Sequence, residues 1–443
     1  MISAEEFRAY NAAAARVGDG AASDVEAAVL SWCRANPAAT VAEKREAAKV
    51  IMEGFVQGYD DVAAEFAAQW YDDLAERGGA RLQQAVTMTT YRPESVDSVA
   101  RYQAKKLVKG DDDAFARACG EFARNDAFRS LNETIVANVG RDRDKGARFA
   151  RVPTGLETCA FCLMLASRGA VYHTRKTAGE FRHFHRNCDC KVVPGFEADP
   201  DVEIVEGFSP AGLRDRIGQI EQVTGLQFAS SKDSAALREY LQQLDAAWMT
   251  TGATCSVTRE RGAHPLKKEE AVAGFLAGNG WNVEFMREVN KTGVKTADAR
   301  LNGIVWEFKI PEGWSDADGE SLQGEHTVRK QFYKALGKGT DKLLLSNAEN
   351  SVSFGEIERV ARKVLNTGDY EINEVLVVDP IARKVACIRR YERAIGGAPS
   401  PRATHVVWFS RAGAATMGSS YRSLRCPTPH AREGAPQCRM LHQ

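Results

Sequence analysis

Between residues 40 and 70 the apolar positions Ala48, Ile51, Phe55, Tyr59, Val62, Phe66 and Trp70 recur three or four apart. That period is one face of an α-helix, so the spacing predicts a long amphipathic helix. Pro37 breaks the chain ahead of it and Thr40 supplies an N-cap. The stretches 96–107 and 113–139 also read as helices. The whole of 1–147 is rich in Ala, Glu, Arg and Asp and poor in strand formers, which predicts a helical scaffold without titratable groups at catalytic spacing. Within 197–263, residues 209–224 and 231–248 again read as helical, before a polar, Gly- and Thr-rich linker. From 264 to 395 the pattern alternates. A helix over 266–279 stops at Gly280, and strands follow at 281–288 and around Asp298 and Glu307. Next come a helix over 325–337, a buried strand over 342–346, a helix over 354–365, and strands over 372–379 and 384–390. The order α-β-β-β-α-β-α-β-β predicts a mixed sheet flanked by helices. Residues 396–443 hold six arginines against one acid, with many Pro, Ser and Gly, and read as a disordered basic tail.

The fold class is therefore multidomain: an α-helical N-terminal region, a small module at 148–196, a helical bridge and linker at 197–263, and an α/β domain at 264–395. A length of 443 residues suits two or three domains. Formal net charge is +0 and the pI about 7.1, so nucleic-acid binding has to come from local patches. The opening MISAEEFRAY has neither a basic nor an apolar signal region, and no apolar run is long enough to span a bilayer. Ten cysteines, four of them within 159–190, read as a reduced, cytosolic chain with one metal-type cluster rather than a disulfide framework.

That cluster is Cys159-x2-Cys162 followed by His183-x-His185-x2-Cys188-x-Cys190. Thiolates and imidazoles so grouped suit tetrahedral Zn²⁺, with Cys159, Cys162, His185 and either Cys188 or Cys190 as the economical set. His173 and His183 leave the four open. A closed four-ligand site is structural, because no position remains for water.

A second constellation lies in KTADARLNGIVWEFKIP, residues 295–311. Glu307 and Lys309 stand at i and i+2 of a β-prone run and share one face. Asp298 returns across a turn at Asn302 and Gly303. Two carboxylates suit Mg²⁺ or Mn²⁺, and a lysine beside them would orient water near a scissile phosphate. The competing expectation is a solvated strand face with a surface ion pair worth under about 1 kcal/mol. Trp306, Phe308 and Ile310 bury the opposite face on either reading.

The run from Arg151-Val152-Pro153 through Cys159-x2-Cys162 to His185-x2-Cys188-x-Cys190 resembles the phage Mu F-like minor head (head morphogenesis) proteins. The family's usual Pro and Arg in the closing motif are here Arg186 and Asp189. The resemblance implies a virion-associated protein, prophage-encoded and otherwise in the bacterial cytoplasm, that contacts portal and capsid proteins and carries an effector domain.

Asp298-x8-Glu307-x-Lys309, after Gly280-Trp281-Asn282-Val283, resembles the PD-(D/E)xK nucleases, and more narrowly the nuclease domains of contact-dependent growth-inhibition toxins. Ala297 replaces a proline of that pattern. The resemblance implies a metal-dependent endonuclease acting on tRNA or other nucleic acid, held in check by a cognate immunity protein. It implies an acid on the first helix, Glu269 or Glu270. Glu270 is preferred because it leads to the apolar Ala273/Leu276 face. It also implies a polar residue on the next helix, Gln331, with His326 and Lys330 as weaker choices. Two other expectations stand beside it: a DNA endonuclease of phage packaging or exclusion, and a structural head protein with an inactive nuclease-fold domain.

Overall fold

The computed structural model describes residues 1–154, 158–178, 190–288, 296–311 and 324–390. α1 (Ala4–Ala35) begins at Ser3, whose hydroxyl accepts the Glu6 N–H at 3.1 Å. α2 (Val41–Arg77) begins at the expected cap. Thr40 accepts the Glu43 N–H at 3.3 Å, and the Glu43 carboxylate accepts the Thr40 N–H at 2.7 Å. Two orphan donors are thereby satisfied reciprocally. After the short α3 (Pro93–Gln103) and α4 (Lys105–Val108), α5 (Asp112–Arg141) packs along both α1 and α2.

The buried stripe of α2 keeps Ala48 and Trp70 of the expected face, with Ile51, Tyr59 and Phe66 partly buried against the core, but it is shifted at two positions. Phe55 and Val62 are exposed, while Ala48, Met52, Val56, Asp60, Ala63, Ala67, Trp70 and Leu74 are buried. The buried side of α2 is mostly alanine where it packs on α1 and α5, and α1 and α5 approach closely. A Cβ at Gly120 of α5 would lie 2.5 Å from the Ala22 carbonyl oxygen of α1. A seam of Ala and Gly lets backbones approach where Phe would hold them apart.

β1 (Arg148–Val152) and β2 (Lys191–Gly195) pair antiparallel, and α6 (Ala160–Ala166) lies between them in sequence. Three helices follow: α7 (Pro210–Thr224), α8 (Ser234–Leu241) and α9 (Ala246–Thr251). The main sheet then contains, in spatial order, β3 (Val257–Arg259), β4 (Val283–Phe285), β5 (Ala299–Leu301), β6 (Ile304–Lys309), β7 (Lys342–Ser346), β8 (Glu374–Asp379) and β9 (Lys384–Arg389), seven strands among the described residues. α10 (Lys267–Ala277) precedes β4, α11 (Gly324–Ala335) precedes β7 and α12 (Phe354–Thr367) precedes β8. From α10 onward the order is the predicted α-β-β-β-α-β-α-β-β.

The stretch 197–263 does more than bridge. β3, inside the expected linker, adds to the sheet parallel to β4. α7 packs on β9. The Asp245 N–H donates to the Gly280 carbonyl at 2.7 Å, and Gln219 Nε2 donates to the Gly278 carbonyl at 2.6 Å. Tyr240 meets Trp281 edge to face, with ring centroids 5.5 Å apart. Gly280 has φ +97, and a Cβ there would stand 2.7 Å from the Trp248 ring, so turn and packing both require glycine.

The central strands are apolar on both faces because both are covered. Leu343 and Leu345 face the α11/α12 cluster with Val328, Phe332, Val360 and Val364. Leu344, Leu376 and Val378 belong to the core on the other side. Among the described residues no helix is long and apolar enough to cross a membrane. The expected basic tail at 396–443 lies outside the described residues.

Candidate active site

Asn302 and Gly303 take φ values of 48 and 81, the left-handed pair of a two-residue hairpin turn. The Asn302 side-chain oxygen accepts the Asn282 N–H at 2.8 Å, which ties the turn to β4. This turn sets the register of β5 and β6, with Ala299 opposite Trp306. Asp298 immediately precedes β5, so extending that register one step brings it alongside Glu307.

There β6 changes partner. Its first half pairs antiparallel with β5 as far as Trp306, and its second half pairs parallel with β7 from Glu307 onward. Asp298 sits in the fork. Its carbonyl accepts the Met286 N–H at 2.9 Å, and its Oδ2 accepts the Phe308 N–H at 2.8 Å, in place of a strand carbonyl.

Glu307 is fully buried, which removes the solvated-face expectation. Its Oε1 accepts from Lys309 Nζ and lies 3.3 Å from Lys338 Nζ. Its Oε2 is buried with no hydrogen-bond partner among the described residues. Burial first, then the Asp298 charge, push Glu307 up to about 7 against the pull of Lys309 and Lys338. Lys309 Nζ also reaches Asp298 Oδ2 at 3.4 Å and the Phe308 carbonyl at 2.9 Å. Burial works against the Lys309 charge, but Asp298 and Glu307 outweigh it and hold the ammonium above the ordinary lysine value. Asp298, Glu307 and Lys309 thus come together as the alternation and the turn suggest.

The first helix contributes differently from expectation. Glu270 pairs with Arg259 at the exposed edge. Glu269 is the acid beside the site. Burial raises its pKa and the Asp298 charge raises it further, while Lys309 pulls it down. Its Oε2 accepts the Leu266 N–H at 2.8 Å, and that cap fixes which way the first turn faces. Gln331 is buried on α11, and its Nε2 donates to the Thr327 carbonyl of the same helix at 3.1 Å, not to the carboxylates. His326 and Lys330 are on the exposed side of α11. Lys338 was not foreseen. It lies between Gly337 and Gly339, both of positive φ, and also donates to the Thr296 carbonyl at 3.1 Å. The only signal for it was a lysine in a Gly-Lys-Gly turn.

Glu307, fully buried with one unsatisfied oxygen, and the half-buried Asp298 are a pair of hard-oxygen donors, the chemistry that suits Mg²⁺ or Mn²⁺ completed by water and phosphate. In the Cys/His module, Cys162 Sγ and Cys190 Sγ are 3.7 Å apart, and the buried Arg151 guanidinium donates to both. Cys159 is half-buried at the start of α6. His185 and Cys188 lie outside the described residues. Among the described residues no group of three or more His, Cys, Asp and Glu is arranged to hold a metal.

The VG15 protein family model matches residues 1–219. Curated relatives are the Gene 15 proteins of Mycobacterium phage D29 and Mycobacterium phage L5. They are 35% and 34% identical, over 12% and 11% of this chain and 29% of each relative. The chain thus spans 29% of the length of the curated relatives it matches. These matches support a phage protein. A solved structure, the CdiA-CT/CdiI toxin and immunity complex from Burkholderia pseudomallei, is 17% identical over 30% of this chain and 99% of that chain, with a TM-score of 0.23.

Proposed function

We propose that this is a phage minor head protein whose C-terminal α/β region is a metal-dependent nuclease that hydrolyses phosphodiester bonds in nucleic acid, tRNA foremost. The observation that carries the reading is Glu307, fully buried with Oε2 lacking a hydrogen-bond partner among the described residues, beside Asp298 and Lys309. A buried carboxylate oxygen without a donor is costly unless something else binds it. Asp298 and Glu307 would hold Mg²⁺ or Mn²⁺, with Glu269 beside them. When bound, the metal supplies Lewis-acid stabilisation of the phosphate and a more acidic water. Lys309 holds the Glu307 and Asp298 oxygens in place and presents a cation where negative charge develops on the phosphate. Lys338 reaches the same Glu307 oxygen as Lys309, so Oε2 would be the one available to a metal.

The test is to incubate the purified full chain with tRNA and, side by side, with plasmid DNA, under Mg²⁺, Mn²⁺ or chelator. The expected result is metal-dependent cleavage of tRNA. Cleavage of plasmid alone would favour a DNA nuclease of packaging or exclusion, and inertness towards both would leave a structural head protein. If the nuclease is toxic, an immunity protein encoded in the neighbouring reading frame is expected.

For the module at 148–196 we propose structural Zn²⁺ held by Cys159, Cys162, His185 and Cys188 or Cys190. The approach of the Cys162 and Cys190 sulfurs supports the reading. Stoichiometric zinc by elemental analysis, lost in Cys162→Ser, is the expected result, and zinc-free folded protein would overturn it.

A further inference from the structure

α11 presents a face with no partner among the described residues. His326, Lys330, Tyr333 and Lys334 are exposed and at 100° per residue fall in one stripe down the helix, and Gly337 in the turn that follows is exposed too. Tyr333 is 70% exposed, unusual for a large aromatic ring. Residues 326–340 contain Arg329, Lys330, Lys334 and Lys338 and no acid. The acid at the start of the helix, Glu325, is taken up by Arg329, Arg359 and Lys363. No ion pair engages Lys330 or Lys334 among the described residues. The chain runs from the stripe to the site, because Lys338, one residue past Gly337, reaches Glu307.

We propose that this face of α11 is the track for the strand being cut, with Lys330 and Lys334 on successive backbone phosphates and an unpaired base stacked on Tyr333. The proposal rests on the nuclease reading and narrows its substrate to single-stranded or loop nucleic acid. A duplex keeps its base faces stacked internally, whereas an exposed ring between two lysines matches an unpaired base flanked by phosphates. The charge sign, and the lysine that leads on from the helix to Glu307, favour nucleic acid over a protein partner.

The test measures binding without cleavage. The full chain carrying Glu307→Gln is titrated with a short fluorescein-labelled single-stranded RNA, and with its duplex, over a series of salt concentrations. Lys330→Glu with Lys334→Glu is expected to weaken binding on the order of 100-fold or more, and the neutral pair Lys330→Ala with Lys334→Ala to lower the salt slope by about 1.4. Tyr333→Ala is expected to cost the single strand ~5- to 100-fold and the duplex little, with Tyr333→Phe restoring binding. All three positions are exposed, so unchanged thermal melting is the expected control. Unchanged affinity and salt slope in the lysine variants would overturn the proposal. Equal losses on single strand and duplex in Tyr333→Ala would do the same, as would retention of RNA binding with loss only of a captured acidic protein. If the stripe binds RNA but the wild-type chain never cuts it with metal, the nuclease reading fails and the stripe is an RNA-binding surface without a cutting site. Cleavage and binding that survive every stripe substitution would remove the track alone.

Discussion

The Phe308 backbone N–H donates to Asp298 Oδ2 at 2.8 Å, at the point where β6 leaves β5 for β7. The open fork in the sheet is therefore closed by the candidate metal ligand itself. Asp298→Asn keeps an acceptor for Phe308 and removes the charge. Its expected effect is a loss of cleavage on the order of 10²–10³-fold with little change in Tm. Asp298→Ala removes both, so the same loss of cleavage is accompanied by about 1–2 kcal/mol of destabilisation. Cleavage rates and thermal melts of the two variants together check this.

Glu307, raised from 4.5 to about 7, makes both activity and stability depend on pH. At low metal concentration, cleavage is expected to fall as pH drops through about 7, and saturating Mn²⁺ to move that limb to lower pH, because proton and metal compete for the carboxylate. The stability effect has the opposite direction. The folded pKa lies above the unfolded value, so the Glu307 contribution to the metal-free protein is complete below about 4.5 and is lost as pH rises through about 7. Metal-free protein is expected to melt lower at pH about 8 than at about 6, with added Mn²⁺ restoring stability at the higher pH.

Lys338, 3.3 Å from Glu307 Oε1, pulls the Glu307 pKa down. Lys338→Met is expected to move the acid limb of the rate profile to higher pH, and Lys338→Arg to return it towards the wild type. A merely structural role would lower the rate at all pH values alike.

The turn at Asn302 and Gly303 holds the register that brings Asp298 alongside Glu307. Gly303 has φ 81, so Gly303→Val is expected to cost about 1–3 kcal/mol and to lower cleavage more than its effect on Tm accounts for. Differential scanning calorimetry and cleavage rates of the same preparation check both parts.

In the helical region, Asp60 and Asp126 are buried together in the α2/α5 seam, and neither Asp60 oxygen has a hydrogen-bond partner among the described residues. Burial, and then the Asp126 charge, raise Asp60. Its raised folded pKa makes the pair least favourable at high pH, where both carboxyls must ionise. Asp60→Asn is expected to stabilise the chain by about 1–3 kcal/mol above neutral pH and to flatten its pH dependence. Chemical denaturation across pH measures it.

The sheet was largely legible, because alternation, Gly280 and the Asn302/Gly303 turn each force one local geometry, and these together dictate the order from α10 to β9. Asp298, Glu307 and Lys309 were legible for the same reason: period-2 alternation and hairpin register place them. The phase of α2 was legible only in part, because burial there follows the alanines that pack on α1 and α5 rather than the large residues Phe55 and Val62. Glu269 and Glu270 differ by one step in a first turn, and only the cap at Leu266 decides which faces inward. β3 is three residues long in a Gly- and Thr-rich stretch, too short to show a period. Lys338 reaches the site from a loop, where no periodicity points.

Cleavage of tRNA by the full chain and its Glu307→Gln variant, at equal concentration, with saturating Mg²⁺ and matched circular dichroism, tests the central claim most directly. The structure leads us to expect cleavage by the wild-type chain and a loss of at least about 10²-fold in the variant. Cleavage by Glu307→Gln at the wild-type rate would contradict the assignment of this site.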